Sequence, residues 1–90
     1  MLVFEWDAEK ARQNEQKHGV PFVEAAEVFH DDHSSTVADP GHSIDEARYL
    51  TFGIFEARQA SGVSYTERGN RIRLISARQM TARERRACEG

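Results

Sequence analysis

A single cysteine, Cys88, excludes an internal disulfide, so packing alone must hold the fold. Two prolines and six glycines leave no Pro- or Gly-rich linker, and no low-complexity tract or repeat interrupts the chain. No apolar run approaches the ~20 residues that cross a bilayer, which argues against a membrane role. The opening MLVFEWDAE is not the basic-then-apolar pattern of a secretory leader. These absences set the expectation of a cytoplasmic protein. Glycine-rich phosphate loops and G-x-S-x-G elbows are missing too. His30 and His33 flank two aspartates, but no second ligand pair accompanies them, so no metal and no cofactor is expected. Helix-turn-helix and zinc-finger patterns are also lacking, which leaves little basis for direct DNA reading.

What is present suits one small domain over residues 1–90, since a second core would leave neither half enough buried surface. Apolar residues make up 39% and charged residues 30%, too apolar for a disordered chain. The net charge of -3 hides a strong asymmetry. Residues 1–67 hold thirteen acidic and five basic side chains, whereas residues 68–90 hold two and seven. A local basic segment of this kind points to a phosphate-bearing or acidic partner, although composition alone slightly favours a solvated basic strand and helix.

The elements follow from patterning. LVFEW reads as a short strand. Asp7 caps a helix running to His18, and Gly19 ends it. Pro21 opens a second helix whose Phe22, Ala25, Ala26 and Phe29 form an apolar stripe. A strand at Ser35–Ala38 precedes a turn at Asp39-Pro40-Gly41, with a solvated His42 beyond it. YLTFGIF, residues 49–55, is a strand with Leu50, Phe52 and Ile54 on one face. EARQASG reads as a turn region, VSYTE as a weak strand, and Arg68-Gly69-Asn70 as the turn into a last strand over residues 71–78. TARE, Thr81 to Glu84, is a capping box that starts a short terminal helix. Short turns between consecutive strands imply antiparallel pairing. The expected class is α+β, a small antiparallel sheet with two N-terminal helices packed on one side and a short C-terminal helix.

Two places concentrate polar groups where apolar ones belong. The first helix carries Asn14 and His18 on the stripe that should face a sheet, with Lys10, Asn14 and Lys17 sharing one face. Asn14 and His18 act there either as hydrogen-bonded tie points or, for Lys17 and His18, as groups projecting toward an anionic substrate. Strict alternation along the last strand places Ile72, Leu74, Ser76 and Arg78 on one face and Arg71 and Arg73 on the other. Arg78 then leaves the core side at the strand's end and needs a carboxylate such as Glu67, or a phosphate. Arg83, Arg85 and Arg86 circle the terminal helix and cannot all touch one ligand.

The segments FEWDAEKARQNEQKHGVPFVEAAEVF and YTERGNRIRLISARQMTARERR resemble the BrnT family, the toxin half of bacterial type II toxin–antitoxin pairs. Trp6-Asp7, Lys10, Asn14, Lys17-His18-Gly19, Phe22, Phe29, Arg48, Gly53, Ile75-Ser76-Ala77-Arg78 and Glu84-Arg85 carry the resemblance. It implies a RelE-like fold and a ribonuclease that arrests growth. It also implies a BrnA antitoxin with a ribbon-helix-helix DNA-binding domain, in a heterotetramer that reaches DNA only through that antitoxin. For a metal-free ribonuclease the expected catalytic set is Lys17, His18, Glu67 and Arg78, with His18 moving protons and Glu67 acting as base or orienting Arg78. Arg48, Arg71 and Tyr65 are expected to contact RNA, and Arg73, Arg83, Arg85 and Arg86 the antitoxin. The competing expectation is a binding module without catalysis, serving as antitoxin partner and co-repressor.

Overall fold

The computed structural model describes residues 2–39, 46–55 and 59–89. Pro40, Gly41 and His42, and residues 56–58 of the expected EARQASG turn, lie outside the described residues. In chain order the elements are β1 (Val3–Glu5), α1 (Ala8–His18), α2 (Phe22–Ala25) with a 3₁₀ turn over Ala26–His30, β2 (Ser35–Ala38), β3 (Arg48–Phe55), β4 (Gln59–Arg68), β5 (Arg71–Gln79) and α3 (Ala82–Glu89). The strands form one sheet in the order β1-β5-β4-β3-β2.

The α+β class holds, but the sheet is five-stranded and mixed, not small and antiparallel. β1 pairs with β5 in parallel, Val3 opposite Arg71 and Glu5 opposite Arg73. The three other pairings are antiparallel. The expected turn region and weak strand are instead one ten-residue strand, β4, at the centre of the sheet. Its inward positions Ser61, Val63 and Tyr65 are all buried. Apolar content thus understates this strand, because small residues such as Ser61 and Gly62 also fit a strand flanked on both edges.

Local signals in the helices are realised. The Asp7 carboxylate accepts the Lys10 amide at 3.0 Å, and Gly19 ends α1 at a left-handed φ of 73°. The second helix departs from its regular stripe. After one α turn it tightens to 3₁₀ geometry. Three residues per turn bring Val28, fully buried, beneath Ala25. Two-residue closure at Gly69 and Asn70 joins β4 to β5, with Gly69 at φ 62°.

The core lies between one face of the sheet and the helix layer: Val20, Phe22, Ala25 and Val28 against Val63, Tyr65, Leu74 and Ala77. Aromatic contacts run through it from Phe4 to Phe29, Phe29 to Tyr65 and Tyr65 to Tyr49. Gly53 permits close approach of the 3₁₀ turn, since a Cβ there would stand 2.7 Å from a Val28 methyl. The other face of the sheet carries no helix from the N-terminal half. Leu50 and Phe52 are half-buried on it, and Ile54 is exposed.

Candidate functional site

One irregularity decides which side chains reach the open face. Between β4 and β5 the register steps: Ser64 pairs with Ser76 and Tyr65 with Leu74, so Ile75 is a bulge residue with no opposite partner on β4. A one-residue bulge reverses alternation beyond it. Ile72 and Leu74 point into the core as expected, but Ala77, with no exposure, takes the next inward position. Ser76 and Arg78 are therefore on the open face, together with Arg71 and Arg73. This corrects the expectation that Arg78 leaves the core side.

The open face holds two adjoining clefts that share Arg48 and Ile75. The larger, about 370 Å³, is lined by Asp39, Arg48, Leu50, Ser64, Ser76 and Arg78 around the bulge. The smaller, about 160 Å³, is lined by Asp7, Lys10, Glu46, Arg48, Arg68 and Arg73 with Leu74 and Ile75. Register explains the convergence, because Arg48 faces Thr66 and Thr66 faces Arg73, while Leu50 faces Ser64 and Ser64 faces Ser76. Carboxylates hold several of these cations. Arg73 bonds Glu5 at 2.8 Å across the parallel pair, and Arg68 reaches Glu46 at 3.3 Å.

Arg78 is the most firmly held. Its Nη1 and Nη2 donate to the two Glu84 oxygens at 2.7 and 2.8 Å. The expected capping box also forms: Glu84 Oε1 accepts the Thr81 amide at 3.0 Å, and Thr81 Oγ1 accepts the Glu84 amide at 3.1 Å. The guanidinium fork, followed by the Thr81 amide, holds the Glu84 carboxyl at about 2, well below its ordinary value. The same contact raises Arg78 further above its already high value.

Several expected site residues stand elsewhere. Glu67 pairs opposite Ile72, whereas Arg78 pairs opposite Gly62. Five residues of strand separate these positions on β4, roughly 17 Å, so Glu67 does not orient Arg78. Tyr65 is buried at 7% exposure against Phe29 and Tyr49, a core residue and not a base-stacking surface. Arg71 sits beside the β4–β5 turn and lines neither cleft. Arg73 belongs to the sheet face, apart from the exposed Arg83, Arg85 and Arg86 of α3. Asn14 is the tie point: its amide bonds the Ala77 backbone. Lys17 and His18 end α1, one exposed and one half-buried, and line neither cleft. Among the described residues no three His, Cys, Asp or Glu side chains converge on a point.

The sequence reading missed Asp39, Ser64, Ser76 and Glu84. For Glu84 a signal existed, because a capping box that begins three residues after a strand's last outward arginine returns its carboxylate to that arginine. Asp39, Ser64 and Ser76 had no local signal; only the register assembles them.

These shapes have a known counterpart. The 1.1 Å crystal structure of the Brucella abortus ribonuclease toxin, BrnT, matches this chain with a TM-score of 0.69 at 25% identity. The match covers 90% of this chain and 99% of that one. No curated protein sequence matches. The family model described as the ribonuclease toxin, BrnT, of type II toxin–antitoxin systems matches residues 6–84. That span includes the bulge, the arginine-lined face and the capping box, and the chain belongs to this family of ribonuclease toxins.

Proposed function

We propose that the chain is an endoribonuclease that lays single-stranded RNA across the open sheet face and cuts at the cleft between Arg48 and Arg78. The observation that carries this reading is the meeting of Arg48, Arg78, Ser64, Ser76 and Asp39 in one cleft. Two guanidiniums suit the non-bridging oxygens of a phosphodiester and the greater charge of a phosphorane, and the serine hydroxyls offer further donors. Asp39 accepts the 2′-hydroxyl proton, the 2′ oxygen attacks phosphorus, and the bond to the 5′ oxygen breaks. Water protonates that leaving oxygen, while Lys17 and His18, at the end of α1 and outside the cleft, are assigned a flanking phosphate of the RNA. The products are a 2′,3′-cyclic phosphate and a free 5′-hydroxyl. DNA lacks the internal nucleophile and is not cut. The sequence written so uses no metal ion.

The family implies an antitoxin partner. The proposed partner is BrnA-like, with a ribbon-helix-helix domain that carries the toxin to DNA in a heterotetramer in the cytoplasm. Exposed Arg83, Arg85 and Arg86, spread around α3, offer it basic contacts on more than one side of the helix. No helix of the described residues is long and apolar enough to cross a membrane.

One observation favours the second reading, a partner module and co-repressor with weak catalysis: Glu84 already occupies the Arg78 fork. Controlled expression in a bacterium separates the two. Wild type is expected to slow growth and shorten RNA, and Arg78→Ala to do neither while folding normally. Wild-type protein that leaves growth and RNA intact selects the partner module.

A further inference from the structure

Glu84 lines neither cleft, yet it grips the arginine at the end of the larger one. It projects from the first turn of α3, where Thr81 fixes it twice, so both ends of the fork are anchored. A guanidinium has five N–H groups, and the fork to Glu84 uses one on each terminal nitrogen. Nη1 also donates to the Gln79 carbonyl at 3.4 Å, so the outer Nη2–H and Nε–H remain to face a ligand.

The geometry points to Glu84 as a positioning residue, one that sets the guanidinium plane of Arg78 so that its remaining donors meet the scissile phosphate. This rests on the proposal that Arg78 contacts that phosphate. A role as proton acceptor fits less well, since a carboxyl held near 2 is a weak base near neutrality. Planar bidentate pairing fixes direction as well as distance. A lysine or a solvated arginine lacks that constraint.

The test is Glu84→Gln in the full chain, with single-stranded RNA of mixed sequence as probe. Glutamine at this position keeps the capping box but loses the charged fork. Misplacing one catalytic contact by about 1 Å lowers rate by up to about 100-fold. The expected result is a fall in kcat of about 10- to 100-fold, with KM unchanged or lower because a negative charge has left the cleft's end. The double variant Arg78→Ala/Glu84→Gln is expected to be no slower than Arg78→Ala alone, since the two act as a unit. Thr81→Ala weakens the cap but leaves the fork, and is expected to keep at least about half of kcat.

Wild-type or raised kcat in Glu84→Gln overturns the positioning role, as does a loss in Thr81→Ala equal to that of Glu84→Gln. If either happens while Arg78→Ala is inactive, the cleft assignment survives. Wild-type cleavage by Arg78→Ala removes the cleft assignment itself.

Discussion

Asn14 and Ala77 meet side chain to backbone where β1 has ended and β5 would otherwise expose an edge. Asn14 Oδ1 accepts the Ala77 amide at 3.1 Å, and Nδ2 donates to the Ala77 carbonyl at 2.8 Å. Nδ2 also donates to the Val20 carbonyl at 3.2 Å. One amide thus replaces a missing strand neighbour and fastens α1 to the sheet. Replacing it orphans buried backbone groups, each costing about 1–3 kcal/mol. Asn14→Ala is expected to destabilise folding by about 2–4 kcal/mol in a urea titration. A change below about 0.5 kcal/mol would show that the edge is satisfied without it.

Asp39 and His18 are assigned different parts of the reaction, and mutation can separate them. Asp39→Asn is expected to lower cleavage by about 100-fold, as loss of a general base does. His18→Ala is expected to slow cleavage less, through a weaker hold on flanking RNA. Rates of RNA cleavage, with circular dichroism as a folding check, decide this. An unchanged rate in Asp39→Asn would move the proton chemistry elsewhere.

Acid should expose the Arg78–Glu84 pair. The Glu84 carboxyl titrates at about 2 when folded, against an ordinary value of 4.5. A depressed folded value means that the group stabilises the fold above its ordinary range and loses that contribution as pH falls toward 2. Melting temperatures of wild type and Glu84→Gln should therefore differ most above about pH 5 and converge between about pH 5 and 2. Asp31, lowered by the His33 and Ile54 amides, titrates alike in both proteins and cancels in the comparison. A gap independent of pH would assign the stability difference to the helix cap alone.

Much of the architecture was legible because it is written locally. Asp7, Gly19, Gly69 and the Thr81–Glu84 box each satisfy or bend backbone within a few residues, and each is where the pattern placed it. Asn14 announced itself as an amide on a stripe that should be apolar. What escaped notice is non-local. β4 is a poor strand by composition, yet it is central because β3 and β5 flank it. The site depends on register. Period-2 reasoning carried through Leu74 and failed at Ile75, where the extra residue has no signature of its own. Glu67 and Tyr65 drew attention as chemical types, and neither reaches the cleft, because alternation and strand length send them elsewhere.

The extra residue at Ile75 makes chain length a determinant of where positive charge emerges. Deleting Ile75 would remove the bulge and leave Ala77 inward and Arg78 outward, whereas flattening the bulge at the present length would turn Arg78 toward Val20 and Val28 and send the Ala77 methyl to water. Point substitutions preserve the spacing and so leave this dependence hidden. Gain of one codon there, with the single bulge kept, would disrupt the packed interior and the cationic surface together.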